Sequence, residues 1–194
     1  MQKLYKQDYP KAAESFKKIF EQHPTNKLIA HTELIYAYSL YLGAQYDDAF
    51  DVYTNYLLYF PTSMDVTYVR YMMFLCYYNQ ILDISRDQTN TENALALFKQ
   101  LEASTTKNNP YYIDAAKKIP IINDYLAAQQ LSIGVMHLKA NNPLAAIHRF
   151  QNLMKYTSTI HIPEALYKTV ESYIILGLDD QAIKYFAILE YNYP

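Results

Sequence analysis

Small, aromatic and aliphatic residues recur along the chain in one fixed phrase. A small residue is followed by an aromatic four positions later and by an aliphatic or aromatic three beyond that. In three copies a proline stands five further on. The phrase reads Ala12, Phe16, Ile19, Pro24, then Ala49, Tyr53, Tyr56, Pro61, and finally Ala182, Phe186, Leu189, Pro194. Ala94, Phe98, Leu101 and Ala146, Phe150, Leu153 keep the first three members, with Thr106 and Ser158 in the proline position. Spacings of four and three put side chains on one face of a helix. Each copy is therefore one helical stripe with a small residue for close packing and a stop at its end. Such repetition predicts stacked pairs of antiparallel helices, A and B, with the phrase marking helix B. Arrays of this kind are usually docking surfaces rather than catalysts.

The phrase sets the remaining elements. Repeat one keeps a stub of A over 2–6 and a B helix over 10–22, with Pro10 in the first turn, where a missing N–H costs nothing. Thr25 and Asn26 cap helix A of repeat two, about 27–42. A break at Gly43-Ala44-Gln45 leads into B, about 46–59. Repeat three has A over 65–81, a polar insertion over 83–90, and B opened by Thr91 and Glu92 and ending near residue 102. Arg86 is expected to tie that insertion back to a helix, since a long loop in a compact array needs an anchor. Helix A of repeat four starts at Asn109-Pro110 and runs towards residue 140, with a kink or break expected one turn before Pro120. Its B helix covers 144–156. Repeat five takes 163–176, a Gly177 C-terminal cap and 179–191. The paired helices and the phrase resemble the tetratricopeptide repeat, which implies an all-α superhelix, an α-solenoid of about five helix pairs with the first repeat truncated. It is one array over 1–194, with 1–82 as N-terminal repeats and 83–194 as C-terminal repeats.

Composition narrows the function. Hydrophobic residues make up 51% of the chain, enough for a core, and the formal net charge is −2. Lys and Arg are scattered, so no sequence-independent grip on phosphates, and no nucleic-acid partner, is expected. Only 3 Gly and no Trp argue against nucleotide loops and a turn-rich β fold. The 22 tyrosines suit amphipathic helices, the ring packing inside while the hydroxyl reaches water. Cys76, alone in an apolar run, reads as a buried thiol. No stretch approaches the roughly 20 apolar residues of a membrane span. Met1-Gln2-Lys3-Leu4-Tyr5 reads as the late part of a helix, so an N-terminally trimmed chain is expected. His23, His31, His137, His148 and His161 form no metal-binding spacing, and no nucleophile elbow or phosphate-cradling loop is present. The expectation is a protein without enzymatic activity, cofactor or metal.

Several segments carry a family likeness: Leu34-Ile35-Tyr36-Ala37-Tyr38, Tyr68-Val69-Arg70-Tyr71-Met72, Asp83-Ile84-Ser85-Arg86-Asp87 with Ala94-Leu95-Ala96-Leu97-Phe98, and Asn123-Asp124-Tyr125-Leu126-Ala127. In this order, with the insertion and the overlong fourth A helix, the chain resembles the BamD family of tetratricopeptide lipoproteins over nearly its whole length. The resemblance implies a lipid-anchored protein on the periplasmic face of the outer membrane, working in the β-barrel assembly machinery. It implies three kinds of partner: a BamA-type POTRA domain, other lipoproteins of the machinery, and C-terminal segments of unfolded outer-membrane proteins. By the same likeness Arg149 on the fourth B helix is the expected POTRA contact, and His148 and Asn152 are expected to join it in binding that partner.

Helix A positions supply a second candidate site. Tyr36, Tyr38, Tyr41, Tyr68, Arg70 and Tyr71 lie on the A helices of repeats two and three, and A helices line the inner face of such arrays. They are expected to form a groove for an extended, aromatic-rich peptide, with Arg70 holding a terminal carboxylate. Packing between helices is the competing role for each tyrosine. Two other classes stay open: a chaperone co-factor that clamps peptide termini, and an envelope-division repeat protein.

Overall fold

The computed structural model describes residues 8–22, 29–156 and 159–194, without the side chains of 19–22. The described residues are helices joined by turns, with no strand among them. In chain order these are α1 (Tyr9–Gln22), α2 (Ile29–Leu42), α3 (Tyr46–Tyr59), α4 (Val66–Tyr78), α5 (Thr89–Ser104), α6 (Pro110–Lys139), α7 (Pro143–Leu153), α8 (Ile162–Ile175) and α9 (Asp179–Asn192). Chain neighbours pack on each other, α1 on α2, α2 on α3, α3 on α4, α7 on α8 and α8 on α9. The fold is an all-helical tetratricopeptide-type array. The expected stub over 2–6, the Thr25-Asn26 cap, and Pro24 and Ser158 of the phrase lie outside the described residues, as does the side chain of Ile19.

The repeated phrase builds the core as its spacing predicts. Ala12, Ala49, Ala94, Ala146 and Ala182 are all buried. Tyr53, Tyr56, Leu101, Phe150 and Leu153 are sealed from water, each contributing on the order of 2 kcal/mol of burial. The first and last copies are less covered: Phe16 is half-buried and Phe186 is 52% exposed.

Three A-to-B turns share one backbone device. Ala44, Asn141 and Gly177 stand at φ 57°, 56° and 67°, each five residues before the small residue of the phrase. In each the following N–H reaches back to the carbonyl five residues earlier, Gln45 to Leu40, Asn142 to His137 and Leu178 to Tyr173, at 2.9–3.0 Å. This is the Schellman closure, which needs a left-handed residue. Glycine takes that conformation freely and asparagine tolerates it, but alanine is strained by about 1–2 kcal/mol. Ala44→Gly is therefore expected to stabilise the protein by about 0.5–1 kcal/mol, net of the extra freedom glycine gains in the unfolded chain. Thermal unfolding should shift up by about 1–4 °C. A fall in melting temperature would show that the methyl group contributes more than the strain.

Two expectations are corrected. The helix around Pro120 does not break: α6 is continuous over Pro110–Lys139. Pro120 is exposed, so the carbonyl one turn back, which loses its amide partner, faces the water side of the helix. Arg86 is exposed and does not anchor the insertion. Gln88 does. It is 2% exposed, and its Nε2 donates to the carbonyls of Asp83 at 2.9 Å, Arg86 at 3.3 Å and Leu82 at 3.5 Å. Asp83 folds the other side of the loop by accepting from the Ser85 amide and hydroxyl at 2.9 and 2.7 Å. Helix α5 also starts at Thr89, earlier than Thr91, which is fully buried inside it.

The chain forms two compact units. The first comprises Met1–Ile81 and Asn90–Lys117, the second Leu82–Thr89 and Lys118–Pro194. Helix α6 contributes to both. The core of the second unit gathers Ala127, Leu131, Ala146, Phe150, Leu153 and Ala165.

Candidate functional site

In the first unit, three A helices converge on a cavity of about 290 Å³. Helix α2 supplies His31, Leu34, Ile35 and Tyr38, the start of α4 supplies Asp65 and Tyr68, and the start of α6 supplies Tyr111. The periodicity of each helix explains the convergence. Leu34, Ile35 and Tyr38 are spaced three and four apart on α2, and each of the other helices presents its first turn.

The rings interlock. Tyr68 meets Tyr111 with centroids 5.6 Å apart at 57°, and Tyr53 edge-on at 6.5 Å and 86°. Tyr111 lies 5.2 Å from Tyr71. The Tyr71 hydroxyl donates to Asp114 Oδ2 at 2.6 Å, tying α4 to the first turns of α6. On the other wall Tyr38 stacks on Tyr41 at 6.3 Å, and Asn79 Nδ2 donates to the Tyr41 hydroxyl at 2.8 Å. Burial pushes Tyr68 up to about 12, and burial followed by the Asp114 carboxylate raises Tyr71 above the ordinary tyrosine value. Tyr68 and Tyr71 therefore stay neutral phenols.

The structure divides the sequence-predicted groove. Tyr38 and Tyr68 line the cavity, while Tyr41 stacks on Tyr38 and Tyr71 packs on Tyr111, which also lines it. Tyr36 faces elsewhere, into a cavity of about 480 Å³ with Lys17, Leu40, Asp48 and Asp51. Arg70 lines neither. Sequence reasoning missed Asp65, Tyr111 and Asp114. Tyr111 had one signal: it follows Asn109-Pro110 at the opening of an A helix, the element type that supplies the other rings.

In the second unit, α7 carries the predicted docking residues. Asn142 caps it, its Oδ1 accepting from the Ala145 amide at 3.3 Å, and Pro143 opens the first turn. Phe150 and Leu153 turn inward, which leaves His148 exposed on the outer face. Asn152 Nδ2 lies 3.3 Å from His148 Nδ1, and Lys155 Nζ donates to Asn152 Oδ1 at 2.7 Å. Arg149 is half-buried and stands apart from that pair, its Nη1 donating to Gln130 Oε1 of α6 at 3.4 Å. One turn before His148, Leu144 is 66% exposed. It was legible as an apolar residue off the core stripe, and it completes a ridge of Leu144, His148 and Asn152 at intervals of four.

Among the described residues no group of three His, Cys, Asp or Glu side chains is placed to hold a metal ion, and no helix is long and apolar enough to cross a membrane. Cys76 is buried, and burial, followed by the Asp47 charge, pushes its thiol up to about 12. A thiol so placed is a poor nucleophile.

A family model described as YfiO, outer membrane lipoprotein, matches residues 1–187. The outer membrane protein assembly factor BamD of Rickettsia prowazekii is 44% identical over 192 residues, 98% of this chain and 76% of that protein. The protein of the same name from Caulobacter vibrioides is 34% identical over 193 residues, 99% of this chain and 63% of that protein. A third, from Pasteurella multocida, is 27% identical over 196 residues, 95% of this chain and 75% of that protein. Among solved structures, a crystal structure of MamA aligns over 96% of this chain and 89% of its own with a TM-score of 0.42 at 17% identity.

Proposed function

Since the chain belongs to the YfiO family of outer-membrane lipoproteins, with assembly factors as relatives, we propose that it is a non-catalytic scaffold in outer-membrane protein assembly. It joins two polypeptides. The ridge on α7 docks on a POTRA-type domain of the barrel-forming partner, and the tyrosine cavity of the first unit receives extended segments of unfolded barrel proteins. A lipid anchor holds the protein at the periplasmic face of the outer membrane, and further lipoproteins of the machinery bind beside it.

The observation that carries this reading is the division of labour on α7. Phe150 and Leu153 are given wholly to the core, while Leu144 and His148 are exposed with Arg149 at their flank. The ridge sets an exposed apolar residue, Leu144, beside polar and cationic neighbours, a mixture found at protein interfaces. Arg149 suits the recognition of a carboxylate, because its planar guanidinium presents paired donors.

Arg149→Glu is expected to weaken capture of the POTRA-containing partner by roughly tenfold or more, the scale for reversing a charge opposite a carboxylate. The melting temperature should stay within about 1 °C, since the side chain has one long hydrogen bond and partial exposure. Pull-down against a titrated partner measures the first and calorimetry the second. Undiminished capture would remove α7 from the interface.

A further inference from the structure

We propose that the tyrosine cavity of the first unit accepts a cationic side chain, arginine or lysine, carried by an extended polypeptide, and does not accept a terminal carboxylate. This deepens the preceding reading, since it rests on the first unit receiving extended segments, and it names what those segments present.

The walls decide the sign. Tyr38, Tyr68 and Tyr111 come from three different helices and meet around one space. The faces of aromatic rings carry negative potential and attract ammonium and guanidinium groups. Asp65 adds a carboxylate at the rim, and no lysine or arginine stands among the described lining residues. That carboxylate is oriented by its neighbours: its Oδ2 accepts from Ser63 Oγ at 3.3 Å and from the Tyr56 hydroxyl at 3.4 Å. Behind the Tyr111 ring, Tyr71 donates its hydroxyl to Asp114, which enriches the Tyr71 ring in electron density and sets a second carboxylate close to the wall. Arg70, the group a carboxylate ligand would need, lies outside the cavity.

Size and openness suit one side chain. A volume of about 290 Å³ falls at the lower limit of small-molecule pockets. Tyr38 and Tyr111 are 39% and 37% exposed, so a guanidinium can approach from solvent and leave its own peptide backbone outside. Leu34 and Ile35 give the aliphatic stem of such a side chain apolar surface to lie on.

The test uses the whole chain and four labelled peptides: acetyl-Phe-Thr-X-Thr-Phe-amide with X as arginine, citrulline or glutamate, and the citrulline peptide as its free acid. Citrulline keeps the shape of arginine without its charge, and the amide removes the terminal carboxylate. Fluorescence anisotropy should show the arginine peptide binding roughly tenfold more tightly than the citrulline peptide, with glutamate weakest. Asp65→Asn, which keeps a residue suited to the start of α4, and the surface change Tyr111→Leu should each reduce that preference at least threefold. Equal binding of all three amide peptides would overturn the proposal and leave a charge-indifferent peptide groove standing. Tighter binding of the citrulline peptide as its free acid than as its amide would also overturn it, in favour of carboxylate recognition. Binding of no peptide would overturn both this proposal and the assignment of substrate to the first unit.

Discussion

Gly134→Ala, a change that stabilises most helix interiors, is expected to destabilise this protein by about 2 kcal/mol. Glycine within a helix ordinarily costs about 0.5–1 kcal/mol relative to alanine, so replacing it should help. Here the backbone of α6 runs against the ring of Phe150. A methyl group at Gly134 would overlap Phe150 Cε1 and lie 2.8 Å from Cδ1 and 2.9 Å from Cζ, well inside contact distance. The ring cannot retreat. Phe150 is 0% exposed and shares its cluster with Ala127, Leu131, Leu153 and Ala165. Overpacking of this kind costs about 1–3 kcal/mol, at times more, and exceeds the helix-propensity gain. Denaturant unfolding should show a lower midpoint with an unchanged slope. Gly134→Ala combined with Phe150→Leu should recover part of the loss relative to the sum of the single changes, because the two side chains compete for one space. A higher midpoint for Gly134→Ala would show that α6 and α7 can separate without cost. The functional consequence follows from the geometry. Phe150 adjoins Arg149, so moving the ring shifts the proposed docking ridge as well.

The fold was legible because its core is written in a helical period. Ala49, Tyr53 and Tyr56 declare one buried face by spacing alone, and the structure buries all three. The same spacing says which face is apolar but not whether a neighbour covers it. Phe186 holds the phrase position of Phe150 and is 52% exposed, whereas Phe150 is fully covered. Pro120 misled because proline forbids one hydrogen bond, and an exposed helix side can lose one to water without parting. Gln88 was hidden behind Arg86 because an amide buried beneath a loop leaves no periodic trace. The tyrosine cavity was half legible for a related reason. Tyr38 and Tyr68 could be placed on A helices, but their meeting with Tyr111 depends on the register between helices. That register comes from contacts such as Tyr71 to Asp114, made 43 residues apart. Arg70 and Tyr36 were assigned to the same groove by helix type, which fixes an element but not the direction of a side chain around it.

Glu33→Gln is expected to raise stability at pH 8 by about 2 kcal/mol and to leave it nearly unchanged at pH 4. Glu33 lies on α2 with 4% exposure, and its Oε2 is buried without a hydrogen-bond partner. Burial raises its carboxyl from 4.5 to about 7. In the unfolded chain the group ionises near 4.5, so between these values the native state holds a proton that the unfolded state has released. Stability from the neutral carboxyl is therefore complete below pH 4.5 and falls as pH rises to about 7, beyond which the penalty is constant. A separation of about 2.5 units corresponds to at most about 3.4 kcal/mol, which reorientation of the carboxylate towards water brings closer to 2. Glutamine matches the shape and carries no charge, so the variant should lack this descent, although its amide must still be accommodated in a buried site. Urea midpoints for both proteins at half-unit steps from pH 4 to pH 8 separate Glu33 from every other titrating group, because the others are common to both. Parallel curves would mean that the carboxylate finds a partner when it ionises. A difference that opens between pH 5 and pH 7 would mean that α2, which carries Tyr38 into the candidate cavity, is held more firmly in mildly acidic than in alkaline surroundings.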